Sequence, residues 1–113
     1  LAGHLKLGNI NYLYDDNQIT IDGPTSLCFS EDVAARFRAQ GWQVLGPLDG
    51  QDVAGLRRAL EEARAEKTRP SLVVLRTRIG RGSPGVEGSS KAHGSPLPLT
   101  QQARNRSWKT RWR

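Results

Sequence analysis

Residues 52–75, DVAGLRRALEEARAEKTRPSLVVL, decide the fold class because they join a helix to an apolar strand. Apolar residues at helical spacing predict a helix over 52–66. Its core-facing stripe is predicted to be Val53, Leu56, Leu60 and Ala63. Pro70 blocks continuation of the helix. The run SLVVL at 71–75 is short, apolar and partly β-branched, which is typical of a strand.

The residues towards the N terminus predict a second strand. Residues 1–8, LAGHLKLG, are interpreted as the last turns of a helix, with Gly8 just beyond its end. Residues 9–14, NINYLY, form a nearly continuous apolar run, which favours a strand buried on both faces. The turn-forming residues at 15–17 end this strand.

The stretch between these two strands predicts a loop, a helix and a third strand. Residues 18–30, punctuated by a Gly-Pro pair, are interpreted as an extended loop. Ser30 is expected to cap a helix that ends at Gly41. Residues 42–45 predict a short strand, and 47–50 predict a turn.

The alternation of helices and strands predicts an α/β fold with a parallel sheet. Only about three strands are visible, which is few for an open parallel sheet. The chain of 113 residues has an apolar content of 36% and starts with Leu1 rather than Met. We therefore expect a piece of a larger domain.

The net charge of +6 is concentrated in one segment of the chain. Residues 97–113 hold five basic side chains and no acidic one, so residues 1–96 carry a net charge of only +1. Trp108 and Trp112 also lie in that segment. The basicity therefore describes a tail, and composition alone does not make the body a nucleic-acid-binding surface.

Composition also excludes several classes of protein. The apolar runs are too short for a membrane-spanning helix, and no basic-then-apolar signal segment opens the chain. The single cysteine, Cys28, excludes an internal disulfide framework and a Cys-rich metal site. We expect an intracellular, reducing location and no membrane partner.

Two segments follow predicted strands, where ligands of open α/β sheets bind. In the first, Asp15, Asp16 and Asn17 offer side-chain oxygens to a hard cation such as Mg²⁺. The alternative is an Asx turn that ends the strand. In the second, the Gly/Ser-rich residues 79–98, His93 could act as a donor or proton relay. Here the alternative is a solvated linker with an exposed histidine.

Three stretches of the chain carry a recognisable pattern: AGHLKLGNINYLYDDNQITIDGPTS at 2–26, EDVAARFRAQGWQV at 31–44, and RPSLVVLRTRIGRGSP…KAHGSPL at 69–97. The strings YDDNxIxIDG and IGxGSP…HG are the distinctive parts. In this order, the three stretches resemble the thiamine-diphosphate-binding domain of transketolase. The resemblance is closer to the bacterial, yeast and plant type than to the animal type. It implies a fragment of a parallel-sheet α/β fold with helices on both faces, covering 1–97, and a basic non-family tail at 98–113.

The resemblance also implies an activity. Transketolases transfer a two-carbon ketol unit from a ketose phosphate to an aldose phosphate, in the pentose phosphate pathway and the Calvin cycle. They use thiamine diphosphate held by Mg²⁺ or Ca²⁺. By the family's motif, the Asn17 side chain binds the metal and the diphosphate, and Ile19 gives its backbone carbonyl to the metal. Ile21 packs near the cofactor, and His93 contacts cofactor and substrate and assists proton transfer.

The chain departs from the family pattern at several points. The GDG motif with its metal-binding aspartate is absent, and so is the acidic residue of the next domain that activates the cofactor. Ser90 stands where the family often has a second histidine, and Arg81 replaces an aromatic residue. We therefore expect this polypeptide alone to bind thiamine diphosphate poorly and to show no turnover.

The resemblance further implies a homodimer in the full-length family and a cytoplasmic location, or a plastid for a plant protein. Two other functions stay open. One is a cofactor-binding or dimerisation module of a split thiamine-diphosphate enzyme, acting with a complementary chain. The other is nucleic-acid binding through residues 104–113, where Arg and Trp interleave. The pattern disfavours the latter, because a short basic tail usually has no dedicated partner.

Overall fold

The computed structural model describes residues 1–94 and Pro96. These residues form two compact units. The first, called the sheet unit, comprises residues 1–16 and 30–77, and the second, called the loop unit, comprises residues 17–29 and the described residues from 78 to 96. The tail predicted at 98–113, with its Arg/Trp-rich end, lies outside the described residues.

Seven main elements follow one another within the described residues. In order they are β1 (Asn11–Asp16), β2 (Ile19–Thr20), β3 (Gly23–Pro24), α1 (Val33–Ala39), β4 (Gln43–Asp49), α2 (Val53–Ala65) and β5 (Ser71–Arg76). Single 3₁₀ turns occur at Thr25–Leu27 and Ser90–Ala92. Among the described residues, no helix is both long and apolar enough to cross a membrane.

The sheet unit is built on a parallel sheet with the strand order β1-β5-β4. The central position of β5 follows from its sequence, because its first five residues are all buried and a continuous apolar run can cover both faces of a sheet. The predicted strand at 71–75 and the predicted parallel α/β sheet are confirmed.

Each face of the sheet carries its own core. On one face, Ala59 and Ala63 of α2 pack with Val73 of β5. On the other face, Trp42 packs with residues of β5 and with Phe37 of α1, whose ring lies 5.1 Å from the Trp42 ring in an edge-on arrangement. Helices therefore cover both faces, as predicted.

The core-facing side of α2 differs from the predicted stripe at its start. Gly55, Ala59 and Ala63 are the buried residues of the helix, whereas Val53 is 78% exposed. The helix begins with Asp52 as its N-cap, whose carboxylate accepts the Gly55 amide at 2.9 Å. Small residues at one face allow the helix to lie close against the sheet. The prediction was right for Ala63 and wrong for Val53.

The N-terminal residues 1–8 form turns and no regular helix. The amides of Lys6 and Leu7 donate back across the turn, and Lys6 itself takes the left-handed conformation with φ 52°. Gly8 is therefore not the residue that ends the turn, contrary to the prediction. It is needed because a Cβ there would lie 2.1 Å from the Lys67 carbonyl oxygen.

The strand β1 is an edge strand and is not buried on both faces as predicted. Tyr12 is 55% exposed and Leu13 is 52% exposed. The Tyr12 ring lies 5.4 Å from the Trp42 ring, so one face of the strand is partly covered. Its other long edge has no strand paired to it among the described residues.

Two element ends also differ from the prediction. The N-cap of α1 is Asp32, whose carboxylate accepts the Ala35 amide at 2.9 Å, and not Ser30. The strand β4 continues to Asp49 through an irregularity at Gly46–Pro47 instead of ending in a turn. The Gly-Pro pair interrupts the register without ending the strand, because β5 offers pairing partners on both sides of the interruption.

Candidate functional site

The loop unit opens with a hairpin that the sequence did not predict. β2 and β3 pair antiparallel, with Ile21 and Asp22 at the tip. The Thr20 hydroxyl donates to the Gly23 carbonyl at 2.9 Å, and Gly23 has φ 140°, which suits glycine. Residues 18–30 are therefore not an extended loop, and the tip residues are held by strand pairing on both sides.

The hairpin register fixes the direction of the Ile19 backbone. Antiparallel pairs alternate between hydrogen-bonded and non-hydrogen-bonded positions. The Thr25 amide donates to the Gln18 carbonyl at 2.9 Å, so the adjacent pair, Ile19 opposite Pro24, is a non-hydrogen-bonded one. The N–H and C=O of Ile19 therefore point away from β3, and Pro24 has no N–H to offer.

Asn17 is joined to this outward-facing backbone. Its Oδ1 accepts the Ile19 amide at 2.9 Å, which is an Asx turn. Since the N–H and C=O of one strand residue share an edge, the Asn17 amide group and the Ile19 carbonyl lie on the same side of the hairpin. The Asx turn and a cation site are thus compatible, because the amide oxygen keeps a second lone pair.

The two aspartates that precede Asn17 are engaged elsewhere. Asp15 accepts a hydrogen bond from the Thr77 hydroxyl, and Asp16 forms an ion pair with Arg76 at 2.9 Å. Both contacts lie within the sheet unit. Each aspartate thus has a protein partner for one of its carboxylate oxygens, and the expectation that Asp15, Asp16 and Asn17 together offer oxygens to one cation stays a prediction. Within residues 1–94 and Pro96, no group of three or more His, Cys, Asp or Glu could hold a metal ion.

The Gly/Ser-rich segment folds back on itself between residues 79 and 94. The Gly88 amide donates to the Ile79 carbonyl at 2.8 Å, and the Gly82 amide donates to the Glu87 carboxylate at 3.0 Å. Glu87 also pairs with Arg78 at 3.3 Å. The linker alternative is thus wrong for this stretch. Glu87 was not identified from the sequence as the residue that holds this segment together. The available signal was that Glu87 is the one acidic residue between Ile79 and Gly94.

His93 follows the 3₁₀ turn Ser90–Ala92, and its amide donates to the Ser90 carbonyl at 2.9 Å. The side chain is exposed, and none of the hydrogen bonds or ion pairs within the described residues engages its imidazole. Ile21 is 68% exposed at the hairpin tip. Hydrogen bonding therefore brings together two of the four predicted site residues, Asn17 and Ile19, while His93 and Ile21 present free side chains.

The chain matches one protein family over nearly all of its length. A family model described as "Transketolase, thiamine diphosphate binding domain" matches residues 1–112. The chain belongs to the transketolase family. It is 49% identical over 112 residues to transketolase from Geobacillus stearothermophilus, covering 99% of this chain and 17% of that relative. It is 52% identical over 98 residues to transketolase 1 from Saccharomyces cerevisiae, covering 86% of this chain and 14% of that relative.

Solved transketolase structures share the fold. A Pichia stipitis transketolase, crystallised with sedoheptulose-7-phosphate, gives a TM-score of 0.87 at 39% identity and covers 96% of this chain and 16% of that one. The chain thus spans about a sixth of the length of the transketolases it resembles. The family model matches residues 1–112, whereas the match to the Saccharomyces cerevisiae relative is 98 residues long, so the boundary proposed at residue 97 stays a prediction.

Proposed function

We propose that the chain contributes part of the cofactor site of a transketolase, which transfers a two-carbon ketol unit between sugar phosphates. The observation that carries this proposal is the Asn17–Ile19 turn. It presents an amide oxygen and a backbone carbonyl on one edge of the hairpin, two residues apart. The family match supports the assignment of this edge to thiamine diphosphate.

The chemistry of these donors fits a divalent metal bound to a diphosphate. Mg²⁺ and Ca²⁺ take oxygen ligands, and Mg²⁺ usually shares its shell with phosphate oxygens and water. Asn17 and Ile19 would supply two neutral oxygens, which leaves most of the shell to the diphosphate, to water and to further protein ligands. Both donors are neutral, so the two residues alone offer no charge to offset the metal.

His93 and Ile21 have the side chains needed for the remaining roles. When bound, thiamine diphosphate supplies the electron sink for breaking and forming a carbon–carbon bond. The exposed imidazole of His93 would donate or accept a proton at a substrate oxygen, since its nitrogen atoms are not engaged in the described residues. The exposed Ile21 side chain would give an apolar contact to the cofactor.

Sugar phosphates are the proposed substrates, because the related Pichia stipitis enzyme was crystallised with sedoheptulose-7-phosphate. A homodimer of the full-length family member and a cytoplasmic location belong to the same proposal. In a second variant of the proposal, this chain acts with a complementary polypeptide of a split enzyme; the exposed edge strand β1 would be covered in either variant by the remaining part of the enzyme.

Calorimetric titration of the purified chain with thiamine diphosphate and Mg²⁺, and separately with Ca²⁺, tests the cofactor site. We expect weak, saturable binding that Asn17→Ala reduces about tenfold, because it removes a metal ligand and the Asx turn. Asn9→Ala, at an exposed turn residue, is the matched control and should bind like the unmodified chain. Equal affinities for the Asn17 and Asn9 variants would contradict the proposed site.

A ketol-transfer assay separates the two variants of the proposal. The 113-residue chain alone is expected to show no turnover, and detectable transfer would overturn that expectation. Activity that appears on mixing with a polypeptide carrying the remaining transketolase domains would support the split-enzyme variant. Its absence, when both polypeptides are folded and bind cofactor, would count against that variant.

A further inference from the structure

The carboxyl ends of β1 and β5 are joined by side-chain contacts on both faces of the sheet. Asp16 and Arg76 are register partners, and Asp16 Oδ2 lies 2.9 Å from Arg76 Nη1. Asp15 accepts from the Thr77 hydroxyl. Because successive strand residues point to opposite faces, these two contacts hold the strand ends from both sides.

Arg76 also connects β4 to this end of the sheet. Its carbonyl accepts the Gly50 amide at 2.8 Å, just beyond β4, and the Thr77 amide lies 3.5 Å from the Asp16 carbonyl. The two backbones approach closely there, since a Cβ on Gly50 would lie 3.0 Å from the Arg76 carbonyl oxygen. The ends of β1, β5 and β4 therefore converge on Arg76.

The Asp16 side chain is well protected for a group at a strand end. It is 18% exposed, against 48% for Arg76. The neighbouring phenol of Tyr14 is partly buried, and burial, together with the negative charge of Asp16, raises the pKa of Tyr14. Because Asp16 is largely shielded from solvent, its ion pair with Arg76 is less screened than a contact between two exposed side chains.

We propose that Asp16 and Arg76, aided by Asp15 and Thr77, are positioning residues for the Asn17–Ile19 turn. Asp16 is the residue directly before Asn17, and its side chain and carbonyl are both held by the end of β5. With that anchor in place, the Asx turn starts from a fixed backbone. This inference rests on the proposed function for its purpose, namely presenting two oxygen donors to a metal.

A positioning role differs from general stabilisation of the fold in which backbone hydrogen bonds open more often when the ion pair is broken. A pair that only stabilises the fold would, when broken, increase opening everywhere by the same factor. A pair that holds the end of β1 would release the turn while leaving the centre of β5 closed. The amide of Ile19, which donates to Asn17, reports the turn, and the amide of the fully buried Val73 reports the sheet.

Hydrogen exchange measured by NMR on the full chain tests the proposal. Asp16→Asn and Arg76→Gln should each speed exchange at Ile19 about fivefold, and leave Val73 unchanged. Arg76→Lys keeps a positive charge and should restore most of the protection. Glu61→Gln, which breaks the exposed Arg57–Glu61 pair on α2, is the matched control and should change neither amide.

Two results of the exchange experiment would overturn the proposal: no change at Ile19 in either variant, or an equal increase at Ile19 and Val73. A second arm titrates the same variants with thiamine diphosphate and Mg²⁺. If the unmodified chain binds, Asp16→Asn should weaken binding by about the factor seen in exchange, and equal affinities would also overturn the role. If the unmodified chain does not bind, the proposed cofactor site fails for this chain. The change in exchange at Ile19 relative to Val73 still decides whether Asp16 and Arg76 position the turn.

Discussion

Two separate valine-to-alanine substitutions, one in β5 and one in α2, test how α2 packs against the sheet. Val73 lies at the centre of β5, with none of its surface exposed, and packs against α2. Val53 lies at the start of α2 and is 78% exposed, although the sequence pattern predicts it in the core. Both substitutions remove the same two methyl groups, so any difference between them reports the environment alone.

The expected magnitudes follow from burial. Two buried carbon atoms at about 0.8 kcal/mol each give a transfer loss of about 1.6 kcal/mol, and the cavity left in the central strand raises the cost of Val73→Ala to about 2–3 kcal/mol. Val53→Ala loses almost no burial. It should leave stability unchanged or raise it by up to about 0.5 kcal/mol, because alanine is the better helix former.

Urea unfolding followed by far-ultraviolet circular dichroism measures both values. This signal is preferable to fluorescence, which would mix Trp42 with Trp108 and Trp112. If Val73→Ala lacks a native baseline, a stabilising osmolyte such as trimethylamine N-oxide restores one for all three proteins. A cost for Val53→Ala equal to or above that for Val73→Ala would refute the described orientation of α2.

Three further predictions concern caps, close contacts and pH. Asp32→Ala should cost about 1 kcal/mol of stability through loss of the α1 cap, whereas Ser30→Ala should cost almost nothing, as measured by urea unfolding. Gly8→Ala should lower stability by about 1–3 kcal/mol in the same assay, since the new Cβ would overlap a backbone carbonyl. Hydrogen bonds from Thr68 lower the pKa of Glu66 from 4.5 to about 2. The stability that Glu66 contributes is therefore present above pH 4.5 and is lost as the pH falls towards about 2, and Glu66→Gln should flatten the stability–pH curve in that window.

The elements that could be predicted are those whose environment is dictated by their own residues. β5 is apolar at every inner position, so it has to lie in the middle of a sheet. β1 has an equally apolar sequence, yet Tyr12 and Leu13 are more than half exposed. Whether an apolar strand lies at the centre or at the edge depends on the strands beside it, which a local pattern does not reveal.

The same distinction applies to the candidate site. The pairing of Asn17 with Ile19 is local, two residues apart, and the motif anticipates it. The roles of Asp15 and Asp16 depend on contacts with residues about 60 positions later, and on the register in which β5 docks. A threonine and an arginine after a strand are ordinary surface residues in a sequence, so their contacts with these aspartates could not be inferred.

The strand order determines when the strands can pair during synthesis on the ribosome. Within the described residues, β1 and β4 are not paired with each other, and each joins the sheet through β5, which follows both of them in the chain. Asn11 meets its partner only once Ser71 has been synthesised. Until then the nascent chain carries an unpaired strand with exposed tyrosine and leucine side chains, and closing so long a loop is slow.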